Sequence, residues 1–159
     1  MLQGCSRISA SVLAIVMLIL PLKSQTPAPT IPAKADATGQ WQGQWTTAEG
    51  WIFEADFKIV AADGSNITAD IHWTLRQADP LRTDLRGKLG LTAVEHAKGT
   101  FDPQDGFLSL DGYAVEDPDR IIGLDKYRLV MSDDGSTIGG ITWDHGDWNG
   151  QVIAKRVAK

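Results

Sequence analysis

Glu95 and Asp125 are the residues that can do chemistry in this sequence, because each falls on a run of otherwise apolar alternate positions. With the more apolar face taken as inward, one run points Leu91, Ala93, Glu95, Ala97, Gly99 and Phe101 to the interior. The other points Ile121, Gly123, Asp125, Tyr127, Leu129 and Met131 the same way. A carboxylate removed from water must find a partner or change its protonation. In one reading the two acids are polar anchors of an apolar pocket walled by Trp51, Trp73, Tyr127 and Trp143, since small-molecule sites combine apolar walls with a few placed polar groups. The plain structural alternative pairs one carboxylate with Arg156 and lets the other accept a hydrogen bond from a tyrosine hydroxyl. A one-residue slip at a β-bulge would turn Glu95 outward and His96 inward. As a hydrolytic pair, the two acids would have to face each other across an open cleft at about 5–10 Å.

The remaining constellations are weaker. Asp144-His145-Gly146-Asp147 offers an imidazole and two carboxylates, but neighbouring residues of a strand point to opposite faces, and the stretch reads as a solvated hairpin tip. Asp133-Asp134-Gly135 and Asp117-Pro118-Asp119 have turn chemistry without the ligand spacing of a calcium loop. No serine sits in a Gly-x-Ser-x-Gly elbow. Cys5 is the single cysteine, which excludes a disulfide or a thiolate metal site in the folded part. Nothing in the pattern asks for a cofactor. Most of the six tryptophans read as core, given the area each buries.

Strands must position these groups. Trp51, Phe53, Ala55, Phe57 and Ile59 alternate with polar residues, and so do Ile67, Ala69, Ile71, Trp73 and Leu75, with Asp63-Gly64 as the hairpin turn between them. Further strands are expected over 40–46, 91–101, 107–113, 121–131, 138–143 and 148–157, with a helical turn within 84–90. The total is eight antiparallel strands in an up-and-down meander. Closing such a meander into a small barrel removes both exposed edges, so the expected fold is all-β and a closed barrel, with a curved open sheet or a sandwich as alternatives.

The chain before this domain reads as an export leader. Arg7 precedes an apolar run from Ile8 to Leu20 that Pro21 ends, short for a membrane span and suited to a signal peptide over 1–24. An uncleaved anchor is the alternative. Residues 25–38 hold Pro27, Pro29 and Pro32 and read as an extended linker, and 39–159 as the barrel. The protein is thus expected to be secreted or periplasmic. Loss of the leader with Arg7 and Lys23 leaves 13 Lys and Arg against 20 Asp and Glu, a net charge of −7. Such a domain repels phosphate backbones, which argues against nucleic acid and against anionic membrane surfaces.

The strand ends carry a further pattern. Gly39-Gln40-Trp41 opens the first strand, Gly43-Gln44-Trp45 repeats it, and Arg156 closes the last. This resembles the calycins, the group of lipocalins, fatty-acid-binding proteins and avidins. The resemblance implies a barrel whose first-strand indole lies across one end under a basic side chain from the last strand. The chain lacks the long C-terminal helix of lipocalins and the polar set with which avidins hold biotin, so the resemblance implies a small-molecule barrel and not biotin.

Three functions follow as expectations. The first is a non-catalytic barrel that binds a small, mostly apolar or planar ligand. The second is a filled barrel that docks an envelope protein through the loop from Gln77 to Gly90. The third is a hydrolase built on Glu95 and Asp125. A hollow interior, a filled one and an open acidic cleft distinguish them.

Overall fold

The computed structural model describes residues 36–81, 83–144 and 148–158. The expected leader, the proline-rich stretch before Asp36 and the tip at 145–147 lie outside the described residues. The strands are β1 (Gly39–Thr46), β2 (Ile52–Asp63), β3 (Asn66–Gln77), β4 (Thr92–Asp102), β5 (Phe107–Glu116), β6 (Lys126–Met131), β7 (Thr137–Trp143) and β8 (Asn149–Arg156). A short 3-10 helix, Thr83–Lys88, lies between β3 and β4, where the sequence predicts a helical turn. Every strand pairs antiparallel with its successor, and β8 returns to β1 from Trp41↔Arg156 to Thr46↔Gln151, so the barrel is closed. This is the all-β closed meander expected from the alternation, and the open-sheet and sandwich alternatives fall away.

Period-two patterning converts directly into a filled interior. Phe53, Ala55, Phe57 and Ile59 of β2 and Ile67, Ala69, Ile71, Trp73 and Leu75 of β3 are all buried. Leu108, Leu110, Leu129, Met131, Ile138 and Val152 fill the opposite wall. Each such side chain contributes about 1.5–3 kcal/mol when fully buried. Eight strands make a barrel just wide enough for side chains to fill.

The sixth strand begins later than the alternation suggests. It starts at Lys126 rather than Ile121, because β5 runs on to Glu116 and Asp117 then ends the pairing. One Asp117 carboxyl oxygen accepts the amides of Ile121 (2.6 Å) and Ile122 (2.8 Å), which turns the chain inward and buries Ile121. The segment 121–125 therefore crosses one end of the barrel and rejoins the sheet where Gly112 N donates to Asp125 O at 2.7 Å. A bulge beside this point, between the pairs His96↔Ala114 and Ala97↔Gly112, adds Tyr113 to β5 and leaves Glu95 facing inward.

Candidate functional site

The two ends of the barrel are built differently. At one end Arg156 lies over the Trp41 ring, 4.1 Å from its centre. Its guanidinium donates to Gly135 O (2.8 Å), Thr38 O (2.6 Å) and Asp36 O (2.7 Å). Trp41 Nε1 donates to Ala37 O at 3.0 Å, and Ala37 is fully buried. The last three residues of the expected linker, 36–38, are thus packed against the barrel as part of its plug. Arg156 is spent here on carbonyls and an indole, so it pairs with neither interior carboxylate.

The other end carries a cluster of rings. Trp45 Nε1 donates to Thr142 Oγ1 at 2.6 Å, and its indole lies over Gly150, where an added Cβ would overlap the ring. Phe53 meets Trp45 edge-on at 5.6 Å and Trp73 at 6.0 Å. Trp148, only partly buried, stacks on Trp45 at 6.4 Å and lies 4.7 Å from Trp51. Trp45, Phe53, Trp73 and Trp148 wall a recess, with Ile122 and Gly123 of the crossing segment and with Asp125 and Asp144. The recess holds about 290 Å³ of empty space out to its open mouth, and only a small part of that is wide enough for water. That is room for about one or two waters.

Next to the recess lies the acid pair. Glu95 is fully buried, its Oε1 accepting Asp125 N at 2.8 Å and its Oε2 accepting the Tyr127 hydroxyl. Gly112 makes room for it, since a Cβ there would overlap Glu95 Oε1. Burial pushes the Glu95 carboxyl up to about 7 against the pull of Tyr127, the Asp125 amide and the Trp73 indole. The Trp73 N–H is oriented to favour a charged Glu95, yet it falls short of hydrogen-bond geometry and leaves Nε1 buried without a partner. Burial, and then the neighbouring Glu95 and Asp144, raise Asp125 to about 8, with no hydrogen bond drawing it back. Burial first, then the charges of Glu95 and Asp125, hold the Tyr127 hydroxyl well above its ordinary value, so it remains a donor.

The residues expected from sequence divide clearly. Trp73 and Asp125 line the recess, Trp51 backs its rim, and Glu95 and Tyr127 are bonded to each other beside it. Trp143 is a correction. Thr142 takes the inward position of β7, so Trp143 points outward, stacks under Arg128 at 5.2 Å and lines a shallow outer hollow with Ile141 and Gln151. The tyrosine half of the structural alternative is present and the Arg156 half is not. The sequence reading missed Trp45, Phe53 and Trp148 as recess walls, although all three keep the inward phase of their strands. It also missed Asp144, read as part of a hairpin tip. Among the described residues no group of three His, Cys, Asp or Glu could hold a metal ion.

No family model matches the sequence, and no curated protein matches it. Among solved structures the chain is similar to a redesigned β-barrel, mFAP0, bound to DFHBI. The TM-score is 0.55 at 12% identity, over 76% of this chain and 98% of that one, a likeness that establishes the small-barrel fold alone.

Proposed function

We propose that this is an exported, non-catalytic barrel of calycin-like build that binds a small, mostly apolar or planar ligand at its ring-lined mouth. The observation that carries the reading is the recess itself, where four aromatic side chains and a buried, unpartnered indole N–H meet at the open end. The similar redesigned barrel is bound to DFHBI, which supports a small molecule as the class of partner. The barrel interior is filled, so the reading rests on the recess at its mouth, and the room there sets the binding mode: a small head group enters and the planar or apolar body lies against the rim indoles. Export, to the periplasm or outside the cell, rests on the leader-like pattern of residues 1–24.

Native mass spectrometry of the mature chain, purified without denaturation from an exporting host, tests this reading. The expected result is a retained small mass that leaves on denaturation and is reduced in Trp148→Ala. A bare mass, together with tryptophan fluorescence that does not respond to a panel of planar aromatic compounds, would refute it.

A further inference from the structure

Building on that mouth-binding reading, we infer that the ligand is an amine, and that its primary ammonium head enters the recess beside Asp125 and Asp144 while its apolar body rests on the indoles of Trp45 and Trp148. Size is the first argument. The recess has room for about one or two waters, and a primary ammonium group is close to water in bulk. A trimethylated head or a carboxylate, each with several heavy atoms where the ammonium has one, is larger.

Charge is the second argument. The acids that face the recess or its floor are Glu95 from β4, Asp125 at the start of β6 and Asp144 after β7, with the Tyr127 hydroxyl beside Glu95. From β1, β2 and β3 only the rings of Trp45, Phe53 and Trp73 face it, and no Lys or Arg lines it among the described residues. Aromatic faces are negative, so the walls favour the same sign of guest as the carboxyls do.

The donors already in place are the third argument. The Tyr127 hydroxyl donates to Glu95, and the unpartnered Trp73 N–H is oriented toward the same carboxyl. Both favour an ionised Glu95 without outweighing its burial, and the described recess supplies no positive charge that would. An ammonium head provides it, with Asp125 as its acceptor. Binding then draws the acids into their charged forms and releases protons, so affinity should rise with pH from about 6 to about 9, over which the amine itself stays largely protonated.

The test titrates the mature protein, followed by tryptophan fluorescence and calorimetry, with phenethylamine, phenethyl alcohol, phenethyltrimethylammonium and hydrocinnamate. Phenethylamine should bind roughly tenfold or more tighter than the alcohol, with the trimethylated cation weaker and the carboxylate weakest. Asp125→Asn should collapse the amine-to-alcohol ratio. Asp144→Asn gives a second reading of the same ratio from the neighbouring strand, beside Asp125. If the alcohol binds as well as the amine, or the carboxylate binds best, the amine inference fails while the mouth reading survives. If none of the four binds, both fall.

Discussion

Raising the pH should destabilise this barrel, and Glu95 should account for much of the loss. Its carboxyl rises from 4.5 in the unfolded chain to about 7 in the folded one. Across that interval the folded state keeps a proton that the unfolded state has released. Stability therefore falls as pH rises through the window and levels off above the folded value. At about 1.4 kcal/mol per pH unit, a rise of roughly 2.5 corresponds to roughly 3 kcal/mol. Asp125 carries the fall on to about 8, but the charge of Glu95 is part of what raises Asp125, so the two contributions do not add in full. In a domain of this size the loss corresponds to a melting point about 10 °C lower at about pH 8.5 than at about pH 5. His96 acts in the same direction: Asp70 and Glu116 raise its pKa, and the stability they lend is lost as pH rises through the folded value. The comparison is therefore made in a His96→Gln background. There, circular-dichroism melts of Glu95→Gln should depend on pH clearly less than the parent's, the remainder belonging to Asp125, because the amide mimics the protonated acid and still accepts Asp125 N. A Glu95→Gln variant as pH-dependent as its parent, or a parent that gains stability from about pH 5 to about pH 8.5, would refute the reasoning.

Three further perturbations read other parts of the same structure. Gly112→Ala should cost roughly 2–3 kcal/mol by urea unfolding, because its methyl would occupy the position of Glu95 Oε1 and force the acid off both its donors. Thr142→Val keeps shape but removes the acceptor of Trp45 Nε1. It should cost roughly 1–3 kcal/mol and shift the tryptophan emission, whereas an unchanged spectrum would argue against the Trp45–Thr142 bond. Arg156→Met should lower the melting point by more than Arg156→Lys does, since Lys keeps the charge over Trp41 but cannot reach three carbonyls at once; equal losses would argue against the fork.

The strands were legible because both faces of β2 and β3 alternate without interruption, and the closed end because Trp41 and Arg156 occupy paired positions on β1 and β8. The inward set that includes Glu95 was legible for the same reason, the bulge being on β5 and leaving the phase of β4 intact. Other features depend on contacts that no local pattern encodes. The crossing segment 121–125 looks like strand by alternation, and only the two amides taken by Asp117 turn it across the barrel. Trp143 looked like a wall because it is large and apolar, but the phase from Ile138 through Gly140 to Thr142 already sends it outward. Trp148 could be placed inward, yet its stacking on Trp45 depends on Gly150 vacating the space beneath.

The contrast between the two ends carries the functional reading. At the closed end one positive group is matched completely: the Arg156 guanidinium meets three backbone carbonyls and the face of Trp41, and the result is a plug. At the open end three carboxyls are gathered, and no Lys or Arg lines the recess among the described residues. Asp125 is raised by burial and by two neighbouring carboxyls, and of those two Asp144 Oδ1 accepts the Trp148 amide at 3.2 Å. A barrel selected only for stability would place an amide or an aliphatic side chain where Glu95 stands, since a buried acid beside other acids costs more than its hydrogen bonds return. Groups held at such a cost are expected where a site serves something other than folding. Here they lie on one side of the recess at the open end, which is walled by rings and opens to solvent, so a partner of opposite charge is sought there.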